Sequence, residues 1–457
     1  MEFQLTPLGQ EADLISVEGT ESHHIYTATF VTENGTLDAL SVTSIDFIRD
    51  YRNAAGDEVQ IRLIVPWGKY LHQVVPYKEN LKITVTRTTV NGVGSPTGDP
   101  IVEQTFDAYL PLESETAMMG TSPEVATEYT ADIMGLKAVT VQLQEEVFGL
   151  IRSTMVGGVF RDSTPFNVLI SLLFKTGQEF VVDGQNGMLG VDAIPPNNKT
   201  KRSHLVVPHG MPLVALANKL QTQHGGIYTA DIGCYFQKGY WYVWPLYNYK
   251  RFDEAKRTAL FIVAPTVRYR GIEKTWRMVG ENLSVLITGG VNRADPSEAL
   301  MLNQGNGTRF PNTDAAMEGF LDISNNRAVA KRTNNVNEYE AISRRGRSMS
   351  RISEDQSSSN AFHEASKLAS RNGAFVTLHW ENSNPDLITP GLQCEIGFLV
   401  NEVARFINGV VVHAHVLSAL AGTGLHQKVH QTTTEVVVFV DREAPEYTDF
   451  IGNLNKS

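Results

Sequence analysis

The sequence predicts an α+β, β-dominated fold: a barrel-like β unit at each end, a mixed α/β unit between them, and a long insertion in the second β unit. Three observations predict it. Short segments of alternating apolar and polar residues dominate the two ends, and the middle contains two segments with helical apolar spacing. Apolar periodicity fades between residues 293 and 359. Because 457 residues exceed what one hydrophobic core usually supports, we expect about two to four domains.

Composition narrows the classes of function. Hydrophobic residues make up 42% and charged residues 19%, as in a globular chain rather than a disordered one. The net charge of -11 argues against a nucleic-acid-binding protein, because neutralising phosphates requires a basic surface. The N-terminus has no basic, apolar leader and no window reaches ~20 apolar residues, so we expect synthesis in a cytoplasm and no membrane association. Cys234 and Cys394 are interpreted as buried free thiols.

The first β unit is predicted to span residues 1–148. Residues 25–31 alternate as a half-buried strand does, and Asn34-Gly35 favours a hairpin turn because both residues tolerate positive φ. Residues 113–131 are polar and acidic and predict a surface loop. Further strands are predicted at residues 40–49, 59–65, 81–89, 102–110 and 134–147.

The middle unit, residues 149–255, shows helical spacing. Thr164-Pro165 predicts a helix start. The apolar residues that follow lie on one helix face, and Gly177 can end the helix. A second helix is predicted at residues 212–224 and an aromatic hairpin at residues 227–231 and 239–247. The residues of that first helix face are Phe166, Leu169, Ile170 and Leu173.

The second β unit is predicted at residues 256–292 and 360–457, interrupted by the insertion at 293–359. The insertion contains a basic cluster that is either a solvated loop or an arm docking on an acidic neighbouring subunit. A helix is predicted at residues 357–371. The strands are predicted at residues 259–264, 283–290, 374–380, 393–399, 409–417 and 433–440, and the basic cluster is Arg344, Arg345, Arg347 and Arg351.

Histidines near the C-terminus raise the question of a metal site. His413 and His415 would point to one face of a strand, and His426 and His430 follow in a predicted loop. No cysteine or carboxylate completes a known spacing, so we predict neither a metal nor a cofactor. The aromatic residues between Tyr235 and Tyr249 suggest either a stacking platform or a packed hairpin, and the acidic composition favours the hairpin.

Catalytic patterns are missing from the sequence. It contains no Gly-x-Ser-x-Gly elbow, no phosphate-binding glycine loop and no cysteine in a catalytic context. Paired carboxylates such as Glu145-Glu146 and Asp253-Glu254 are common solvated charges. We therefore predict that the protein is not an enzyme.

Residues 59–87 are predicted to form a strand, a crossing loop, a corner at residues 76–81 and a second strand. This arrangement resembles the first barrel of phage tail hub proteins. The segment 225–247 is similar to the family's middle domain. The order of elements after residue 357 is similar to that of baseplate hubs of contractile tails and of the hub part of type VI secretion spikes. The resemblance covers most of residues 40–440.

The resemblance implies two tube-protein-like β-barrel domains per chain. It further implies a homotrimer whose six barrels form a pseudo-sixfold ring, an adaptor that joins the hexameric tail tube to a threefold spike. DNA would pass through the channel only as cargo. The spike is expected to be a separate chain, and tape measure protein and other baseplate subunits are further expected partners. The expected location is the virion tail baseplate or tip, after assembly in the host cytoplasm.

The residues expected at interfaces lie in the crossing segment and in the basic cluster. Their alternative role is turn formation and core packing. Two other functions stay open, a tail-associated cell-wall hydrolase and a tail-tube-type subunit that polymerises. The candidate interface residues are Pro66, Trp67, Tyr70, Pro76, Tyr77, Asn80, Leu81, Arg344, Arg345 and Arg347.

Overall fold

One large mixed sheet dominates the molecule. The structure is a computed structural model and describes residues 6–17, 23–90, 96–98, 101–110, 135–182, 185–223, 225–264, 268–269, 274–294, 369, 373–384, 386–400, 403–421 and 429–441. Fifteen strands from the two ends of the chain form the sheet, and smaller sheets belong to the middle of the chain.

The N-terminal part begins with a helix and continues as strands. The helices are α1 (Pro7–Val17) and α2 (Trp67–Gln73), and a 3-10 helix covers Val75–Asn80. The strands are β1 (His23–Thr32), β2 (Gly35–Asp38), β3 (Ser41–Asp50), β4 (Glu58–Pro66), β5 (Lys82–Val90), β6 (Val102–Tyr109) and β7 (Leu136–Glu145).

The middle part mixes helices with short strands. Its helices are α3 (Glu146–Ser153), α4 (Pro165–Gly177) and α5 (Leu213–Gln223). Its strands are β8 (Met155–Ser163), β9 (Val181–Val182), β10 (Gln185–Asn186), β11 (Gly190–Ala193), β12 (Arg202–Pro212), β13 (Ile232–Gln237) and β14 (Tyr240–Pro245). A 3-10 turn at Phe252–Glu254 leads into the C-terminal part.

The C-terminal part returns to the large sheet. Its strands are β15 (Thr258–Val263), β16 (Trp276–Val279), β17 (Asn282–Ile287), β18 (Val291–Ala294), β19 (Gly373–Glu381), β20 (Gln393–Val400), β21 (Val403–Leu420) and β22 (His430–Asp441).

The strands of the N-terminal part complete a circuit with the C-terminal hairpin. In order of pairing, this first circuit runs β21, β3, β4, β7, β6, β5, β1 and β22, and β22 pairs β21 again. The step from β1 to β22 rests on one pair, His24 with His430. Alternate inward residues fill this circuit with an apolar core that includes Phe30, Ile61 and Val141.

A second circuit uses the same hairpin. On one side of the hairpin β21 pairs β20, followed by β15, β17 and β16, and on the other side β22 pairs β19, followed by β18. No ladder pairs β17 with β18 among the described strands, so this second circuit is closed there only by chain connection. Only residues 288–290 separate β17 from β18, and there Gly289 N–H donates to the His379 carbonyl at 3.2 Å. The pairs of β15 with β17 and β20 are parallel, so the sheet is mixed. Its core includes Trp380, Phe261 and Val438.

A β-bulge marks the place where β21 passes from one circuit to the other. Pairing with β20 ends at Val410, and pairing with β3 begins at His413. The register with β22 shifts between Val411 and His413. Such a bulge adds one residue and bends the strand, which suits a strand that must turn between two circuits.

The middle part has its own core. Helices α4 and α5 pack against the β8–β12 ribbon and the β11–β14–β13 sheet around Leu169, Leu216 and Trp241. The hydroxyl of Thr164 accepts from Asn167 N–H at 3.1 Å and caps α4. At the N-terminus, α1 covers β15 and β17 with Leu8 and Ile15.

Most element predictions are confirmed. Each predicted end-unit strand outside the insertion overlaps an observed strand, and α4 and α5 lie within about a residue of the expected bounds. No helix in the described ranges is long and apolar enough to cross a membrane. Several predictions concern segments outside the described residues. These segments are the loop 113–131, residues 295–359 of the insertion with Arg344, Arg345, Arg347 and Arg351, the helix 357–371 apart from Ala369, and His426.

Two element predictions are wrong. The crossing between β4 and β5 is helical rather than a loop, and Pro66 supplies the extended residue that begins α2. The first strand of the aromatic hairpin is Ile232–Gln237, not residues 227–231. Ile227 N–H and Tyr228 N–H instead donate to Gln221 Oε1 on α5, at 2.8 and 3.2 Å, so this segment is held by a buried side chain.

Candidate assembly interface

The helical crossing between β4 and β5 carries most of the residues expected at an interface. Trp67 N–H donates to the Gly135 carbonyl at 2.5 Å, which ties the start of α2 to the start of β7. The Trp67 and Tyr70 rings are stacked with centroids 6.2 Å apart. Tyr70 is buried against Phe30, whereas Trp67 is only partly buried. Tyr70 is therefore a core residue and Trp67 faces the surface.

A lysine completes this aromatic pair. Lys137 Nζ lies 4.3 Å from the Trp67 ring centroid and 5.4 Å from that of Tyr70. Burial of the ammonium lowers the pKa of Lys137. A cation over two ring faces is a stabilising arrangement.

Exposed leucines surround Trp67. Leu40, Leu71 and Leu136 are 51%, 40% and 38% exposed. They belong to one neighbourhood, because Leu40 N–H donates to Ile64 O on β4, Leu136 pairs with Pro66, and Leu71 lies on α2. We call Leu40, Trp67, Leu71 and Leu136 the apolar rim. It lies where β4 ends and β7 begins, at one end of the first circuit.

The corner residues have mixed roles. Pro76 lies in the first turn of the 3-10 helix, and Tyr77 breaks its regular geometry. Asn80 Nδ2 donates to Glu33 Oε1 at 3.0 Å and ties the corner to the β1–β2 turn. Leu81 is buried and its carbonyl accepts from Ala108 N–H. Asn80 is thus available at the surface, whereas Leu81 packs in the core.

A buried ion pair joins the first circuit to the middle part. Arg49 Nε donates to Asp57 Oδ2 at 3.0 Å, and the two side chains are 4% and 20% exposed. Asp57 Oδ1 also accepts from the Tyr235 hydroxyl at 2.9 Å and from Gln237 Nε2 at 3.3 Å. Burial and the nearby Asp57 raise the pKa of Glu145 to about 7. We call the Arg49, Asp57, Tyr235 and Gln237 set the Asp57 joint.

The backbone reinforces the Asp57 joint. Phe236 N–H donates to the Ala55 carbonyl at 2.7 Å, and Gly56 forms a bridge with Phe236. A Cβ atom at Gly56 would lie 2.6 Å from the Phe148 ring, so glycine permits this close approach. These contacts pack the β3–β4 turn against β13 and α3.

A second ionic joint brings together three distant segments. Asp386, in the β19–β20 connection, accepts from Arg87 on β5 and from Lys238 Nζ at 2.7 Å in the β13–β14 turn. Burial alone would raise the pKa of Asp386, but Arg87 and Lys238 hold it well below its usual range. Both circuits and the middle part therefore meet at one carboxylate.

Histidines lie at the closure of the first circuit. His430 Nε2 lies 2.9 Å from the Val42 carbonyl, and its ring is edge-to-face with Tyr26 at 5.2 Å. His24 lies opposite His430, and its buried Nδ1 has no hydrogen-bond partner in the structure as described. Burial, helped by Arg87, lowers the pKa of His24 from 6.5 to about 4. His24 is therefore neutral in the fold at neutral pH.

Acidification is expected to weaken this closure. Because the pKa of His24 is lower in the folded protein than in the unfolded chain, protons bind preferentially to the unfolded chain. The free energy of unfolding is therefore highest above pH 6.5 and falls as the pH decreases toward 4. This pKa difference corresponds to a decrease of about 3 kcal/mol in the free energy of unfolding. Urea unfolding at pH 7 and pH 4 should show that His24→Gln loses less stability on acidification than the parent. His72→Gln, on exposed α2, is the control, and equal losses in all three proteins would contradict the assignment.

The other residues weighed from the sequence lie in packed positions. Both cysteines are free, with Cys394 buried and Cys234 partly buried, and burial raises the pKa of Cys234 to about 12. Trp241 and Trp244 are buried, so the packed-hairpin interpretation is confirmed. His415 lies 3.5 Å from Asp46. Among the residues with described positions, no group of three or more histidine, cysteine or acidic side chains could hold a metal.

Sequence reasoning missed both ionic joints. Arg49, Asp57 and Asp386 are common charged residues in turns and strands, and no spacing distinguishes them from solvated charges. Glycine at position 56 is the one local hint of a close backbone approach.

Several solved structures are similar to this chain. One is the E. coli c3393 protein, a component of the type VI secretion system described as structurally similar to the T4 bacteriophage tail proteins gp27 and gp5. Its identity is 9%, and the match covers 92% of this chain and 78% of that chain at a TM-score of 0.41. Another is the 43 kDa tail protein of prophage MuSo2 from Shewanella oneidensis, at 9% identity, 90% and 96% coverage and a TM-score of 0.38.

A third similar structure is the half-lidded Francisella PdpA-VgrG complex, at 9% identity and a TM-score of 0.36, with 97% of this chain and 63% of that chain covered. No protein-family model matches the sequence, and no curated protein matches it. Two of the three similar structures are thus a type VI secretion component and a prophage tail protein.

Proposed function

We propose that this chain is the structural hub of a phage tail baseplate or tip. In this proposal three copies form a ring that joins a hexameric tail tube to a threefold spike, without an enzymatic role. The observation that carries it is the pair of strand circuits that share the β21–β22 hairpin.

The two circuits are proposed to be two tube-like barrels. The first circuit is a closed strand path without an unpaired edge, and we propose that the second curls into a similar tube between β17 and β18, so that both can stand in a ring beside copies of themselves. With two such barrels in each chain, threefold assembly places six barrels around one axis. The shared hairpin makes the two barrels one continuous body, which suits a part that must transmit load along a tail.

The proposed domains follow the sequence boundaries. Residues 1–148 would form the first barrel, 149–255 the middle domain, and 256–292 with 360–457 the second barrel, with 293–359 as an insertion. The Asp57 joint and Asp386 connect these parts through ion pairs between residues that are distant in the sequence. That placement supports a rigid structural role.

The apolar rim is the proposed surface for end-on contact with the tail tube. It lies at one end of the first circuit, where a stacked ring would meet it, and it combines exposed leucines with a partly buried tryptophan. Aromatic and aliphatic anchors of this kind favour protein contacts. Spike, tape measure protein and other baseplate subunits are further proposed partners, and DNA would pass as cargo along an acidic channel.

Native mass spectrometry tests the proposal through stoichiometry. We expect three copies of the 50.5 kDa chain in one closed particle. Leu71→Asp should leave that particle intact, because the rim is assigned to the tube and not to the ring. A monomer at micromolar concentration, or an open series of growing polymers, would contradict the proposal, and the polymer series would favour a tube-type subunit.

A further inference from the structure

The β8–β12 ribbon has two unlike faces. Leu205 pairs with Phe160 and Val207 with Gly158, and these residues face α4 and α5 in the middle core. Val206 pairs with Val159, and the two valines are 50% and 62% exposed. Directly opposed residues of an antiparallel pair share a face, so the valines form an apolar spot on the outside.

Basic residues flank this outer spot. Arg161 and His204 form the next outward pair, and both are exposed. Within the two strands, Arg161 and Arg202 against Asp162 leave a net charge of +1, and Lys199 and Lys201 immediately before β12 raise the net charge of residues 155–163 and 199–212 to +3. The whole chain carries -11, so the remainder carries -14. The ribbon is therefore a basic element on an acidic molecule.

The ribbon also offers a strand edge. Within the described parts of the chain, β8 and β12 pair only with each other. Pro208 and a register shift between Val207 and Met211 interrupt β12, whereas β8 contains no proline. Proline and bulges protect an edge from further pairing, so β8 is the edge left for a partner.

We propose that the outer face of the β8–β12 ribbon is a contact between copies of this chain, where it meets acidic side chains of the next copy. This inference rests on the proposed ring. Charge complementarity selects the occupant, because the ribbon with the two lysines before it carries +3 and the rest of each chain carries a net charge of -14. A central pair of valines favours protein over a nucleic acid, whose binding needs several lysine or arginine contacts to phosphates.

Substitution of the two exposed valines in the full chain tests whether the outer face of the ribbon is a contact between copies. Val159→Asp/Val206→Asp puts negative charge into the apolar spot and should raise the dissociation constant of the oligomer about tenfold. The matched control is Val403→Asp, an exposed valine on β21 that is outside the ribbon. Analytical ultracentrifugation gives the dissociation constants. Because all three side chains face solvent in the single chain, the far-ultraviolet circular dichroism spectrum of each variant should match that of the parent, which separates assembly from folding.

A second experiment measures how the dissociation constant of the oligomer depends on salt concentration. Raising NaCl should weaken the parent oligomer, and Arg161→Gln should reduce that salt dependence, because the arginine is assigned to an ionic contact. Fluorescence polarisation with a labelled DNA duplex runs in parallel. Binding of the duplex that is lost in the ribbon variants would overturn the inference in favour of a nucleic-acid surface.

The outcomes separate the inference from the function on which it rests. A ribbon variant that weakens the oligomer while Val403→Asp does not supports the inference. An oligomer unaffected by ribbon variants overturns the inference and leaves the proposed ring standing. A parent protein that is monomeric overturns both.

Discussion

Asp57→Ala is expected to lower the free energy of unfolding by about 3 to 5 kcal/mol. The reason is that Arg49 is 4% exposed and would keep its charge without its carboxylate partner. Tyr235 and Gln237 would lose an acceptor at the same time. Urea unfolding followed by tryptophan fluorescence measures the loss.

Two controls show whether the uncompensated charge is the cause. Glu146→Ala breaks the more exposed pair with Lys82 and should cost no more than about 1 kcal/mol. Arg49→Met/Asp57→Ala removes the buried cation as well, so it should be less destabilised than Asp57→Ala alone. If the double variant is as unstable as the single variant, or less stable, the unpaired charge of Arg49 is not the cause of the destabilisation in Asp57→Ala.

Trp380→Ala is the second large effect, with an expected loss of about 3 to 5 kcal/mol. Trp380 lies on β19, which pairs with β22 and β18 in the second circuit. Its side chain is fully buried, and its Nε1–H donates to Thr275 Oγ1 at 2.8 Å. Removing the indole would leave a cavity in the second core and take away the donor to Thr275 Oγ1, whose hydroxyl would still donate to the Glu381 carbonyl.

Trp380→Phe separates packing from hydrogen bonding. It keeps most of the ring and loses only the N–H donor, so the expected cost is about 1 to 2 kcal/mol. Thermal unfolding of the two variants beside the parent gives the comparison. Equal losses for alanine and phenylalanine would show that the hydrogen bond, and not the filling of the core, dominates at this position.

Sequence periodicity predicted the strands but not how they are connected. Alternation of apolar and polar residues is local, so residues 40–49 and 409–417 could be recognised separately. Nothing in either segment shows that β3 and β21 pair, because that contact joins residues hundreds of positions apart. The shared hairpin therefore became visible only in the structure.

Other features were missed because their local signals are weak. Helix α2 covers one short stretch interrupted by Gly68, so no apolar period develops. In the β8–β12 ribbon, Gly157, Gly158 and Pro208 break the alternation that marks a strand. His430 was weighed as a metal ligand, whereas its ring lies against the Val42 carbonyl at the closure of the first circuit.

The candidate interface residues also show that burial could not be predicted from the sequence. Trp67 and Asn80 were expected at an interface, and both reach the surface, whereas Tyr70 and Leu81 lie in the core. Sequence patterns place such residues in one segment, but burial depends on elements far away in the chain. Leu40 and Leu136 complete the apolar rim from segments that the sequence does not connect.

A cryo-electron microscopy map of the purified oligomer tests the central claim most directly. We predict three chains around one axis and six tubular β rings lining a single channel, two contributed by each chain and joined through β21 and β22. A particle in which each chain contributes one ring, or in which the chains do not enclose a channel, would contradict it.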